Sequence, residues 1–227
     1  MFMDHLQAGA IIYPLMDQID FTGPFEVLSR LPNSTFHVTG KTLEPVRDTR
    51  GLLLTPEETL SEVQPLHLLL VPGGYGQEDL MEDQEVLSFI RSHVERGGYL
   101  FAVCTGVLLC GAAGVMNGVP ATTHWRVLDL LPYFGAIAVN KRVVEHGRIV
   151  TAGGVTAGID GALHMAAMLR GEQAAKEIQL YMQYAPEPPF DSGTPERAPA
   201  EVLNAVTEAT SAITARRLET AKRFAAR

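Results

Sequence analysis

Short apolar runs alternate along the chain with longer stretches whose apolar positions recur every three or four residues. Ala8 to Tyr13, Phe36 to Thr39, Leu66 to Val71 and Tyr99 to Val103 are runs of the first kind. The last of these is continuous and follows a glycine pair, as in a parallel-sheet strand buried on both faces. Val46 to Thr55 holds two short β runs around Arg50-Gly51, which predicts a hairpin. Arg142 to Glu145 and Arg148 to Thr151 predict two more strands around His146-Gly147. Helical periodicity fills the gaps. Leu15 to Ile19 reads as loop, and Asp20-Phe21-Thr22-Gly23-Pro24 as the start of a helix that buries Phe25, Val27, Leu28 and Leu31. Asp83 to Arg96 turns Val86, Phe89, Ile90 and Val94 inward. Thr105 to Ala113, a short helix after Trp125, Val155 to Leu169 and Glu172 to Tyr184 complete the series. Strands alternating with helices imply parallel βαβ units, hence a doubly wound, three-layer α/β fold with a mostly parallel sheet.

The pattern breaks at Tyr184-Ala185-Pro186-Glu187-Pro188-Pro189-Phe190, a proline-rich stretch that excludes regular structure. Pro199 then opens an extra C-terminal helix, with Val202, Val206, Ala209 and Ile213 as its apolar stripe. Its acids come early, and Arg216, Arg217, Lys222 and Arg223 come late, which complements the helix dipole. The expected organisation is an α/β domain over residues 1–184, followed over 185–227 by an arm and helix packed on that domain or on a second subunit.

The 227 residues are 46% hydrophobic, enough for a sizeable core. A net charge of −8 argues against nucleic acid as the main partner. No apolar run approaches membrane-spanning length, so no membrane partner is expected. Met1-Phe2-Met3-Asp4-His5 lacks the basic start of a signal peptide. The two cysteines, Cys104 and Cys110, straddle a strand–helix junction and make a poor disulfide pair. A reducing, cytoplasmic setting is the natural expectation.

Candidate chemistry gathers at that junction. Cys104 lies where a strand turns abruptly into a helix, at the carboxyl edge where open α/β sheets bind ligands. Helical N–H groups there favour a thiolate, and Gly106 leaves room for the turn. The competing reading is a buried cysteine acting as a small hydrophobe. Gly73 and Gly74 follow another buried strand and could point N–H groups into a cleft, and Gly153-Gly154 forms a second such loop. Neither loop is a phosphate fingerprint. Asp20 is placed to meet Cys104 as a proton donor or relay, or serves only as a helix N-cap, with Asp17 and Glu26 as lesser rivals. His124 is either a base for Cys104 or a structural neighbour of Trp125. No histidine shows metal-ligand spacing, so neither a metal nor any other cofactor is expected. Cys110 falls on the far side of the helix and reads as core.

Taken together, Pro72-Gly73-Gly74, Ala102-Val103-Cys104-Thr105-Gly106, Ala121-Thr122-Thr123-His124 and Ala152-Gly153-Gly154-Val155-Thr156-Ala157-Gly158-Ile159-Asp160 resemble the DJ-1/PfpI superfamily. That resemblance implies a flavodoxin-like sandwich, a reactive cysteine at a strained elbow and a homodimer. Asp20-Phe21-Thr22-Gly23-Pro24, Thr123-His124-Trp125, Pro188-Pro189-Phe190 and the terminal helix are most similar to its isocyanide-hydrating branch. Thr105 stands where the protease-like branch has histidine, which counts against a peptidase. The branch implies a small-molecule substrate, an isocyanide hydrated to an N-substituted formamide through a covalent thioimidate on Cys104. Asp20 would supply the proton, and the Gly74 and Thr105 N–H groups would polarise the reacting group. The Thr105 hydroxyl would orient Asp20 or the sulfur, and Gly73, Gly153 and His124 would lie near the site. Within the superfamily the alternatives are a glyoxalase-like enzyme, a cysteine redox sensor and a ligand-binding regulator.

Overall fold

A computed structural model describes residues 5–226. Met1 to Asp4, on which the signal-peptide reading partly rested, lie outside the described residues. Strand β1 (Leu6–Ile11) leads into helix α1 (Gln18–Leu28) and strand β2 (Ser34–Gly40). The hairpin of β3 (Val46–Arg47) and β4 (Leu53–Leu54) precedes the short strand β5 (Glu58–Thr59). Strand β6 (Leu68–Val71) is followed by a 3-10 helix, Gly76–Leu80, and by α2 (Gln84–Glu95). Strand β7 (Tyr99–Val103) runs into α3 (Gly106–Ala112). The small pair β8 (Pro120–Ala121) and β9 (Ile137–Ala138) flanks a second 3-10 helix, Trp125–Phe134. The hairpin of β10 (Val143–His146) and β11 (Ile149–Ala152) leads to α4 (Ala157–Arg170) and α5 (Glu172–Tyr181). Beyond the arm lie α6 (Ala200–Ala209) and α7 (Ser211–Ala225).

Seven strands form the main sheet in the order β10-β11-β7-β6-β1-β2-β5, and only the β10–β11 pair is antiparallel. The fold is the expected mostly parallel, flavodoxin-like sandwich. Every residue of β6 is buried, as a central parallel strand requires. The register matters for the site. Val71 pairs with Ala102, and Val103 with Ala152, so β6, β7 and β11 end nearly level. Pro72, Cys104 and Gly153 therefore leave the sheet along one edge, which is where α/β sheets bind ligands.

Two elements differ from the sequence expectation. Helix α1 begins before Asp20: Asp17 is the N-cap, and its carboxylate accepts the Ile19 N–H at 3.1 Å. Pro24 is therefore well inside the helix, where it leaves the Asp20 carbonyl without its helical donor. The Gly23-Pro24 pair is explained by packing. A Cβ on Gly23 would lie 2.9 Å from Ile159 Cγ1, and one on Gly158 would lie 3.1 Å from Pro24 Cγ, so α1 and α4 meet across glycines.

The second difference is the terminal helix, which is broken in two at Thr210. Thr210 Oγ1 accepts the Arg126 Nε–H at 2.9 Å, which pins the break to the domain. Helix α7 packs on its own chain: the Phe134 and Phe224 rings are 5.5 Å apart, Arg216 pairs with Asp79, and Thr220 donates to the Glu78 carboxylate. In α6, Val202 and Val206 remain exposed.

The α1–α4 seam yields a signed expectation. In the parent, Gly23→Ala should destabilise by overpacking, by about 1–3 kcal/mol. With Ile159→Ala as background the same change should stabilise, because alanine favours helix over glycine by about 1 kcal/mol. Urea unfolding of the four proteins checks this; equal effects in both backgrounds would show that Ile159 is not the obstacle.

Candidate active site

Cys104 sits at φ +55°, in the left-handed region that L residues rarely occupy. Its N–H donates to the carbonyls of Ala152 and Gly153, both at 3.0 Å, and its carbonyl accepts the Thr123 hydroxyl at 2.6 Å. Gly106 allows the turn: a Cβ there would lie 2.3 Å from the Val71 carbonyl oxygen. The elbow expected from the sequence is therefore present, and its glycine is a packing requirement.

Asp20, in the first turn of α1, is fully buried and accepts the Gly73 N–H on Oδ2 at 3.0 Å. Because Asp17 caps the helix, capping does not explain Asp20. The neighbouring Cys104 thiol favours the charged carboxylate, and Oδ1 is buried with no hydrogen-bond partner. Gly73 wedges between Asp20 and the elbow; a Cβ there would lie 2.8 Å from Asp20 Oδ2 and 2.6 Å from Thr105 N.

The Thr105 hydroxyl accepts the Gly74 N–H at 3.0 Å and lies 3.1 Å from the Gly74 carbonyl, to which it donates. The Gly74 N–H thus already has a protein partner, which competes with the polarising role expected for it. The Thr105 and Val155 N–H groups instead favour the charged form of the sulfur. Val155, after the second glycine loop, also has a positive φ of 27°. Gly153 contributes its carbonyl to Cys104, while Gly154 packs on His124, with a Cβ there only 2.8 Å from the ring.

A cavity of about 220 Å³ opens over the sulfur, bordered by Tyr75, Thr105, His124, Val155 and Arg217 among others. From the sequence Arg217 was expected only to complement the helix dipole. It is instead buried and donates to the Gly74 carbonyl at 2.7 Å. Nothing in the sequence separates it from Arg216, which is exposed and paired with Asp79. Among the described residues, no group of three His, Cys, Asp or Glu side chains could hold a metal.

The DJ-1/PfpI family model matches residues 8–168. The chain belongs to the DJ-1/PfpI family.

It is 48% identical to a Pseudomonas putida protein named isonitrile hydratase, over 88% of this chain and 87% of that protein. It is 26% identical to Drosophila melanogaster protein DJ-1alpha, over 78% of this chain and 84% of that one. The crystal structure of a ThiJ/PfpI family protein from Pseudomonas syringae superposes with a TM-score of 0.93 at 36% identity, covering 97% of this chain and 92% of that one.

Burial dominates the electrostatics of this family member's elbow. The Asp20 carboxyl is pushed up to about 8, first by burial and then by the Asp17 carboxylate, against the pull of Cys104 and the Gly73 N–H. Burial and the Asp20 charge push the Cys104 thiol well up, while the Thr105 N–H, Arg217 and the Val155 N–H oppose the rise. The thiolate preference expected from helical N–H groups alone is therefore outweighed by desolvation. Tyr13 is raised as well, first by burial, and its hydroxyl donates to the Pro72 carbonyl at 2.6 Å. His124 is lowered to about 4 by burial, Arg217 and Arg126, so it is neutral at pH 7. Its Nδ1 accepts the Arg126 N–H at 3.3 Å, which leaves the ring proton on Nε2. Cys110 is fully buried and its thiol is raised by that burial, in keeping with core.

Asp20 should leave a mark on stability. The folded carboxyl keeps its proton to about pH 8, whereas the unfolded one releases it near pH 4. Between these values the folded state binds more protons, so this group lowers stability progressively as pH rises through the window. Asp20→Asn cannot ionise. Its stability relative to the parent should grow from about pH 4 and level off near pH 8. Denaturant melts across that range test this; a difference independent of pH would mean that Asp20 titrates normally.

Proposed function

We propose that this protein hydrates isocyanides, R–N≡C, to N-substituted formamides, with Cys104 as nucleophile and Asp20 as proton carrier. The observation that carries this is the 48% identity, over 88% of the chain, to a protein named isonitrile hydratase, isonitrile being another word for isocyanide. The site chemistry supports it. The terminal isocyanide carbon accepts a nucleophile only as it is protonated, so the reaction needs a sulfur and a proton at one point. A thiol and a carboxyl that both hold their protons near neutrality meet that need.

The Cys104 sulfur bonds to the terminal carbon while the Asp20 proton passes to the same carbon. The proton leaving the sulfur returns to the Asp20 carboxylate. The product is a thioimidate, R–N=CH–S–Cys104. Water then adds to that carbon, its proton going to nitrogen, and the tetrahedral R–NH–CH(OH)–S–Cys104 expels the thiol to leave R–NH–CHO. Splitting one hard addition into two easier ones is the usual gain of covalent catalysis. The Thr105 hydroxyl positions the Gly73-Gly74 turn, and through it Asp20. The Thr105 and Val155 N–H groups and Arg217 stabilise negative charge on sulfur as it develops. His124, neutral, offers Nε2–H to the substrate or to water and does not act as the base. A homodimer in a reducing, cytoplasmic compartment belongs to the same proposal, and two buried free thiols suit it.

Purified protein incubated with an alkyl isocyanide should form the matching formamide, read by NMR. Cys104→Ala should abolish turnover with the fold intact, and Cys110→Ala should retain it. No formamide from the parent would reject the activity, and equal loss in both variants would reject the assignment of the nucleophile.

The protonated Asp20 is the active form, so kcat/KM should fall as pH rises through about 8. Asp20→Asn should lower turnover by about a hundredfold or more. A pH–rate profile flat to pH 9.5, or an Asp20→Asn rate within a few-fold of the parent, would remove Asp20 from the reaction.

A further inference from the structure

Three arginines, Arg50, Arg126 and Arg217, line the cavity over Cys104, against a single acidic residue, Asp17. The Asp17 carboxylate is already engaged as the cap of α1. Among the described residues none of the three arginines forms an ion pair, whereas Arg30, Arg142, Arg197 and Arg216 each do. Arg217 is buried, gives Nη2–H to the Gly74 carbonyl and has no partner for Nε–H. Its influence on the sulfur accounts for part of its presence. Sulfur chemistry does not account for the other two. Arg126 stacks over the Trp125 ring at 5.3 Å and donates only to neutral acceptors, Thr210 Oγ1 at 2.9 Å and the Thr207 carbonyl at 3.3 Å. The Arg50 side chain makes no hydrogen bond within the described residues. Its charge favours the Asp48 carboxylate, which is buried and taken up by the N–H groups of Arg50 and Leu52, at 2.7 and 2.8 Å.

Three cationic side chains without an ion-pair partner, gathered at one small cavity, make it attractive to an anion. Guanidinium groups match a carboxylate fork in particular. The neutral His124 adds an Nε2–H donor to the same wall. At about 220 Å³ the cavity is below the ~300–1,000 Å³ of drug-sized sites, so it suits a short molecule. We infer that the site selects isocyanides bearing a carboxylate a few bonds from the isocyanide group, with Arg50 and Arg126 holding the carboxylate while the terminal carbon meets Cys104. This rests on the isocyanide activity proposed above. The substrates would be isocyano carboxylates and the products the corresponding N-formyl amino acids.

Rates on potassium isocyanoacetate and on its uncharged methyl ester test the inference. The parent should favour the anion by about tenfold or more in kcat/KM, the scale of one good charge-assisted contact. Arg50→Gln should bring that ratio close to one, mainly through the KM of the anion, and Arg50→Lys should recover part of it. Equal rates on the two substrates, or a ratio that Arg50→Gln leaves unchanged, would overturn the inference while leaving the hydratase activity standing. If neither compound is turned over, the activity itself fails, and binding decides the anion site. N-formylglycine should then bind more tightly than N-formylglycinamide in calorimetry, with the difference lost in Arg50→Gln; equal binding, or none, would overturn it.

Discussion

The left-handed backbone of Cys104 is the constraint on which the site depends. A non-glycine residue at φ +55° costs on the order of 1–2 kcal/mol, so it persists only where its surroundings leave no alternative. Here both of its peptide groups are held. Two carbonyls, from Ala152 and Gly153, take its N–H, and the Thr123 hydroxyl takes its carbonyl. Those partners come from β11 and from the segment after β8, and the paired ends of β6, β7 and β11 fix where they stand. The sheet register, set by runs of buried apolar residues, thereby determines the direction of one sulfur.

Burial then gives that sulfur its chemistry. A thiol beside a carboxyl in water would be ordinary. Desolvation of Asp20 and Cys104 together, with one charge opposing the other, keeps protons on both. Such a pair is a poor store of free thiolate and a good place for coupled transfer, in which sulfur loses a proton as carbon gains one. Cys110 feels burial too, but among the described residues no carboxyl, no cation and no backbone group of another segment contributes to the shift of its thiol. The contrast between the two cysteines is one of surroundings, since both are small, apolar and enclosed.

Much of this was legible in the residues. Continuous apolar runs and alternating helical periods determine the doubly wound sheet. The glycines at 73, 74 and 106 mark places where backbones approach too closely for a Cβ. Asp20 was legible as a candidate but not in its position, because Asp17 and Asp20 are both plausible caps and only the packed structure shows which carboxyl meets solvent and which meets sulfur. The start of α1 was misplaced for the same reason, since Pro24 favours a first turn and tertiary packing against Gly158 and Ile159 overrides that preference. The break at Thr210 depends on Arg126, which is far away in sequence. Arg217 was not legible at all: Arg216-Arg217 on a helix end is the pattern of a solvated, dipole-complementing pair, and burial of one of them depends on how α7 docks.

That docking draws the distant C-terminus into the chemistry through a single carbonyl. The Gly74 oxygen accepts both the Thr105 hydroxyl and the Arg217 guanidinium. The segment that follows Gly74 is held by the same helix, with Glu78 meeting Thr220 and Asp79 meeting Arg216. A shift of α7 would therefore move the Gly73-Gly74 turn. That turn is wedged against Asp20 and Thr105 with no room for even a methyl group. Close packing of this kind transmits displacement instead of absorbing it. The terminal helix, an addition to the sheet in sequence terms, is thus physically continuous with the proton donor at its centre, and the geometry of the Cys104–Asp20 pair depends on residues more than a hundred positions further along the chain.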